Sequence, residues 1–228
     1  MIRLLALVAV VFLTACSPVN SEKPTHIPKS DFSKKLDGAV QNGVYRDPEG
    51  YMAFTIPSDF FIDRLFEDSC GKDIAKFGCH NGKGDYIEVT AYNLKMLPFI
   101  ESGTPKGLTE VRRFELSLIN PKFPGISTLR EEFRTLSDTK QVKFLIIKVP
   151  SGGTIFNIQL NRVQDATKGM FFFFEQDKVV ILSYQHTYTC EGEDSFPKTL
   201  SGMSPFLYDK LVDIYQRIKI NPKAPERI

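Results

Sequence analysis

Cysteine and histidine carry the most directional chemistry in this chain, and there are few of them. Beyond the N-terminal stretch that holds His26, they are Cys70, Cys79 and Cys190 with His80 and His186. A thiol against an imidazole makes a nucleophile with its base, and mixed Cys/His sets hold zinc. The spacings match no zinc pattern, and Cys79 and His80, being adjacent, point to opposite faces if both lie on a strand. Cys190 is followed by Glu191, Glu193 and Asp194, whose charge raises a thiol pKa rather than lowering it. No G-x-S-x-G, H-E-x-x-H or phosphate-binding loop occurs, and Ser151-Gly152-Gly153-Thr154 lacks the lysine a phosphate cradle needs, so it reads as a turn. Glu131-Glu132 and the acids after Cys190 read as solvated carboxylates, without the alternation of an EF-hand. Arg112-Arg113 and Arg130 with Arg134 read as a solvated face. No catalytic, cofactor-binding or metal-ligating residue is assigned.

The first sixteen residues are the most informative. Arg3 is followed by an uninterrupted apolar run, Leu4 to Leu13, of ten residues. A membrane-spanning helix needs roughly 20 apolar residues, whereas the apolar region of a secretory signal takes about 7–15. The run ends in Leu13-Thr14-Ala15-Cys16, which resembles the lipobox of bacterial lipoproteins. The resemblance implies cleavage before Cys16, lipid on its thiol, and anchoring by acyl chains without a transmembrane helix. Each buried CH₂ contributes about 0.8 kcal/mol to such an anchor. Ser17 after the cysteine, where Asp would signal retention in the inner membrane, leans towards the outer membrane if the cell is Gram-negative.

Export makes a disulfide plausible chemistry for the other thiols. Three pairings are possible and spacing alone does not choose among them. Proximity favours Cys70 with Cys79, which flank a Gly- and Lys-rich stretch read as a loop. Closing about ten residues stabilises by roughly 2.5–3 kcal/mol in the chain-entropy model.

Residues 16–42 read as the lipidated cysteine and a flexible tether, with Pro18, Pro24 and Pro28 and little periodicity. About 25 residues of it hold a domain off the bilayer, since a flexible chain spans roughly 5–6 Å × √n. Residues 43–228 read as one globular domain. Asp47-Pro48-Glu49-Gly50 is a turn signal between apolar segments, and so predicts a hairpin over 44–56. Further strands are expected over 60–66, 86–92, 129–136, 141–149, 154–163, 170–175 and 179–185. The short polar links between the later ones imply antiparallel pairing. Phe171 to Phe174 reads as a central strand buried on both faces. Thr104-Pro105 predicts a helix start, and Ser204-Pro205 a second. In that second helix Leu207, Leu211, Ile214 and Ile218 share one face. The expected class is α+β: an antiparallel sheet of about six or seven strands with flanking helices, one an amphipathic helix at the C-terminus.

The segment from Tyr45 to Pro57, followed by Phe60, resembles the opening of PsbP-like domains: a Tyr, a turn with Gly, an aromatic-x-Phe strand, a Pro and an aromatic. The chain departs from that pattern in having no Trp. The resemblance implies an antiparallel sheet with flanking helices and an accessory, non-catalytic role.

Composition agrees with an ordinary globular domain, at 42% hydrophobic and 25% charged over 228 residues. A net charge of +2 does not point to nucleic acid. The expectation is a lipid-anchored cell-envelope protein, held to the membrane at Cys16. Its domain binds or supports an unidentified envelope protein or ligand, and no cofactor is called for. The alternative is a lipid-anchored hydrolase with a site built from scattered residues, such as Cys190 and a distant His.

Overall fold

The computed structural model describes residues 40–46, 52–64, 74–81, 84–137, 140–153, 155–158, 161–188 and 196–220. The lipobox, most of the tether, Cys70 and Cys190 lie outside these residues.

Among the described residues thirteen strands and two α-helices follow in order. The strands β1 (Val40–Gln41), β2 (Val44–Arg46), β3 (Met52–Thr55) and β13 (Ile218–Ile220) form a small sheet in that order. β1 and β2 join through Asn42 and Gly43, both at positive φ, which suits a tight right-twisted hairpin. The sheet therefore begins at Val40, inside the stretch read as tether. The large sheet has seven strands in the order β4 (Phe61–Arg64), β5 (Ile74–His80), β6 (Asp85–Asn93), β12 (Lys178–Thr187), β11 (Ala166–Glu175), β8 (Lys140–Val149) and β7 (Ser127–Ser137). All its pairings are antiparallel. The fold is α+β, as the strand pattern and short links require.

Two cores lie on opposite faces of this sheet. On one, Phe171, Phe173, Val180 and Leu182 pack against Tyr45, Met52 and Phe54 of the small sheet and Leu207, Leu211 and Ile214 of α2 (Leu200–Gln216). On the other, Met170, Phe172, Val179 and Ile181 pack against Leu108, Val111 and Leu116 of α1 (Pro105–Ile119). Successive phenylalanines thus feed alternate cores, as the period of two dictates. Gly169 of β11 lies under Leu207 and Leu211, where a Cβ would come within 3.1 Å of Leu207, so the missing side chain lets α2 seat closely. Tyr45 and Phe54 are cross-strand partners buried in the first core.

The structure corrects several local expectations. The loop expected between Cys70 and Cys79 is largely strand β5, and Cys79 sits inside the sheet. The single strand expected over 154–163 is two short ones, β9 (Phe156–Asn157) and β10 (Arg162–Val163), which pair antiparallel near Asn161 at φ 48°. The polar turn expected over 165–169 is the first half of β11; there the Thr167 hydroxyl meets Tyr188 Oη at 2.6 Å, and Lys168 reaches Glu88 at 3.5 Å. Tertiary partners make polar residues acceptable in a buried strand.

The start of α1 is as expected, with Thr104 accepting from the Gly107 N–H at 3.0 Å and Pro105 at the first position. Leu108, Val111 and Leu116 of α1 are buried and Leu118 is exposed. The start of α2 is earlier than expected. Thr199 is the cap, Pro205 lies within the helix, and Ser204 is buried with no hydrogen-bond partner for its hydroxyl. Pro205 leaves the Ser201 carbonyl without an intrahelical donor. Both residues are exposed, so water can serve that carbonyl.

Leu211 is fully buried against β11, which excludes an exposed stripe at this position. Leu211→Ala is expected to cost about 2–5 kcal/mol, measured by denaturant unfolding. An unchanged midpoint would contradict the packing described here.

Candidate functional site

His186, near the end of β12, has Nδ1 2.7 Å from Asp85 Oδ1 at the start of β6. The two residues are cross-strand partners, so the sheet register makes the pair. Asp85 is held in turn by Asn81, whose amide donates to Oδ2 at 2.7 Å, while the Asp85 N–H donates to Asn81 Oδ1 at 3.1 Å. Geometrically this is the imidazole–carboxylate pair from which a general base is built. Its surroundings are those of a packed group. The imidazole stacks flat on Phe196, with centroids 4.3 Å apart and planes at 6°, and Tyr188 stands edge-on to both rings. Tyr188 is pinned by Thr167 and lies 3.8 Å from the Met203 sulfur of α2.

The other thiol and imidazole candidates are dispersed. Cys79 faces the α2 core, and burial, with a smaller contribution from the Asp59 charge, pushes its thiol up to about 12. It therefore stays protonated and unreactive at neutral pH. His80, its neighbour on β5, takes the opposite face, so it does not converge with His186. The ring of His80 lies 6.4 Å from that of the exposed Phe61. Among the described residues no group of three or more His, Cys, Asp and Glu is placed to hold a metal ion, and no helix is long and apolar enough to cross a membrane. A cleft of about 300 Å³ lies at the far end of the first core, lined by Phe173, Glu175, Tyr215, Gln216, Ile218 and Ile220. None of these is a thiol or an imidazole, and Glu175 is paired with Lys140 at 2.5 Å.

The densest charge lies instead on β7, the outer strand of the large sheet. Along one face Glu132 receives Arg130 at 2.8 Å and Arg134 at 2.5 Å, and the Arg134 guanidinium covers the Tyr208 ring of α2 at 4.6 Å. On the other face Glu131 receives Lys143 at 2.6 Å and Arg112 of α1 at 3.0 Å. The Lys143 ammonium also lies 4.4 Å from the ring of Phe133, which is 41% exposed. The carboxylates Glu131 and Glu132 and the arginines read as solvated are thus paired in two clusters on opposite faces of β7, one reaching α1 and β8 and the other reaching α2, while Arg113 pairs with Glu110 within α1. The hydrogen bond from Arg130, followed by that from Arg134, holds the Glu132 carboxyl below the usual carboxylate range.

Sequence reasoning singled out His186, Glu131, Glu132 and the arginines but missed Asp85, Phe196 and Lys143. Asp85 lies 101 residues from His186 and carries no local signal. The Arg-x-Glu-x-Arg alternation of 130–134 was a legible hint that these charges share one face. Cys16, Cys70 and Cys190 lie outside the described residues, as do Glu191, Glu193 and Asp194.

No family model matches the chain, and no curated protein matches its sequence. Among solved structures it is similar to the Saccharomyces cerevisiae Ran-binding protein Mog1p, at 14% identity and a TM-score of 0.49, covering 79% of this chain and 95% of that one. A variant of Mog1 gives 13% and 0.48, covering 79% and 96%. A Bacteroides thetaiotaomicron protein gives 10% and 0.42, covering 82% of this chain and 52% of that one. At these scores no property of those proteins passes to this chain.

Three experiments test the site. A lowered carboxyl pKa contributes stability that is present above the unfolded value of about 4.3 and lost as pH falls through the lower folded value. Glu132→Gln is therefore expected to flatten the loss of stability below about pH 4.3, measured as unfolding midpoint against pH. An unaltered acid limb would remove Glu132 from the account. Cys79 is expected to resist maleimide in the native protein and to react fully after unfolding with reductant present, read by mass spectrometry. Peptide mapping without reductant tests the Cys70–Cys79 bridge: a linked peptide supports it, and two labelled thiols dismiss it.

Proposed function

We propose that the protein is held by lipid on Cys16 in the cell envelope, with the outer membrane favoured in a Gram-negative cell, and that its domain is a binding module rather than a catalyst. The observation that carries the binding reading is the outer strand β7. Its charges are held by Glu132 on one face and by Glu131 on the other, where the exposed ring of Phe133 lies beside Lys143. An ordered edge strand with fixed charges and one aromatic suits recognition of a complementary protein surface. The outer backbone of an edge strand also offers unpaired hydrogen-bonding groups to a partner. The best-formed acid–base pair, by contrast, is packed among aromatic rings.

The alternative hydrolase reading is favoured by one observation, the Asp85–His186 contact. In that reading a nucleophile from outside the described residues, such as Cys190, approaches the imidazole.

Cys16→Ser is expected to release the protein from membranes or leave it unprocessed; cleavage at the same bond with continued membrane fractionation would refute the lipid anchor. In the anchored protein, Arg130→Ala with Phe133→Ala is expected to abolish co-purification of a cross-linked partner while changing stability by no more than about 1 kcal/mol. Retained co-purification would move the surface away from β7. Ester or amide turnover that Asp85→Asn abolishes would favour the hydrolase.

A further inference from the structure

The two edges of the seven-stranded sheet differ. β4 is four residues long and its pairing slips between Ile62 and Arg64, so it offers little backbone to a further strand. β7 is eleven residues long, and among the described residues no strand pairs with its outer side. Its register against β8 is irregular at 128–130 and again at 135–137, and regular from Arg130 to Thr135. The Thr135 carbonyl receives the Tyr208 hydroxyl at 3.4 Å, an exposed contact that leaves a second lone pair for a strand donor. Arg130, Glu132 and Arg134 lie on the α2 face of this stretch, and Glu131 and Phe133 lie on the α1 face.

The charges decide which strand can pair there. Residues directly opposite in an antiparallel pair share a face, and like charges set opposite are destabilising. A second copy of β7 would be related by a two-fold axis normal to the sheet. Such an axis keeps every residue on its own face, so it passes through a residue and sets that residue against its own copy. Centring on Arg130, Glu131, Glu132 or Arg134 therefore opposes like charges, and centring on Thr135 runs the pair over the second irregularity. Phe133 is the remaining centre. In that register Glu132 faces Arg134 of the second copy, Arg134 faces its Glu132, Glu131 faces its Thr135, and the two Phe133 rings meet. The charges about the axis then alternate in sign. Glu132 holds Arg130 through Oε2 and Arg134 through Oε1, and an ionised carboxylate has about four acceptor sites, so it can take a further guanidinium. The exposed ring of Phe133 gains an aromatic cross-strand partner.

We infer that β7 pairs with β7 of a second copy of this chain, antiparallel and centred on Phe133, so that the sheet continues across a two-fold axis. The inference rests on the reading of β7 as the binding surface and names its partner.

The test is a charge exchange in the full chain, with co-expressed copies that carry two different affinity tags and are extracted in mild detergent. Capture of one tag is expected to retain the other in the unaltered protein. Glu132→Arg opposes like charges on both sides of the axis, and so does Arg134→Glu, so each variant is expected to lose its self-capture by about tenfold or more. Co-expression of the two variants restores opposite charges at both positions and is expected to return capture to near the unaltered level. Neither a folding defect nor a shared micelle produces that recovery. Unaltered copies that do not retain each other, single variants that still retain themselves, or a mixture that fails to recover would each overturn the pairing. The reading of β7 as a binding surface then stands if Arg130→Ala with Phe133→Ala still releases a cross-linked protein of another kind, and falls if it does not.

Discussion

Burial of the central strands on both faces is the constraint from which the rest of the architecture follows. β11 and β12 have no solvent side, so every residue from Ala166 to Phe173 must find a packed or paired environment. Phe171 and Phe173 require a cover on one face, and Phe172 requires another on the opposite one. α2 with the small sheet supplies the first cover, and α1 supplies the second. A sheet covered twice in this way is a three-layer domain, and its two cores are separated by the backbone of the sheet itself.

That constraint sorts the polar residues. Where a polar side chain falls on a buried strand, a partner must neutralise it, because an unpaired buried charge or donor is costly. His186 and Asp85, Lys168 and Glu88, and Thr167 and Tyr188 are such solutions at the ends of the central strands. They resemble the ingredients of an active site because both situations demand close, directional pairing. Burial among aromatic rings separates the two cases: a catalytic imidazole needs a substrate against it, and here one whole face of His186 is taken by Phe196.

Charge that is not forced inside collects at the margin. β7 has a neighbour on only one side, and its alternating acids and arginines are held in register by α1, β8 and α2. Such an edge resists uncontrolled pairing with other strands and still presents a fixed pattern to a chosen partner. By contrast Phe156 and Ile158 are exposed apolar side chains beside the short strands β9 and β10.

The sequence by itself determined what depends on near neighbours. The apolar run before Leu13-Thr14-Ala15-Cys16, the Thr104-Pro105 helix start, the buried stripe of Leu207, Leu211 and Ile214, and the doubly buried phenylalanine strand are all written within short windows. Periodicity and capping chemistry act over one or two turns, so these are legible locally. Hairpin neighbours such as β11 and β12 were legible from their short links, but the order of the whole sheet was not: β6 finds β12, and β8 finds β11, only through side-chain complementarity across the chain. The same holds for Asp85 beneath His186, for Thr167 and Lys168 inside a strand rather than a turn, and for Cys79 inside the sheet rather than in a loop. Polar character in a window cannot distinguish a solvated turn from a buried strand with distant partners. The exposure of Phe156 and Ile158 was equally silent, because an apolar residue on a strand reads alike whether a layer covers it or none does. Only the tertiary structure decides which faces receive a cover, since coverage depends on how many layers the chain can build over each side of the sheet.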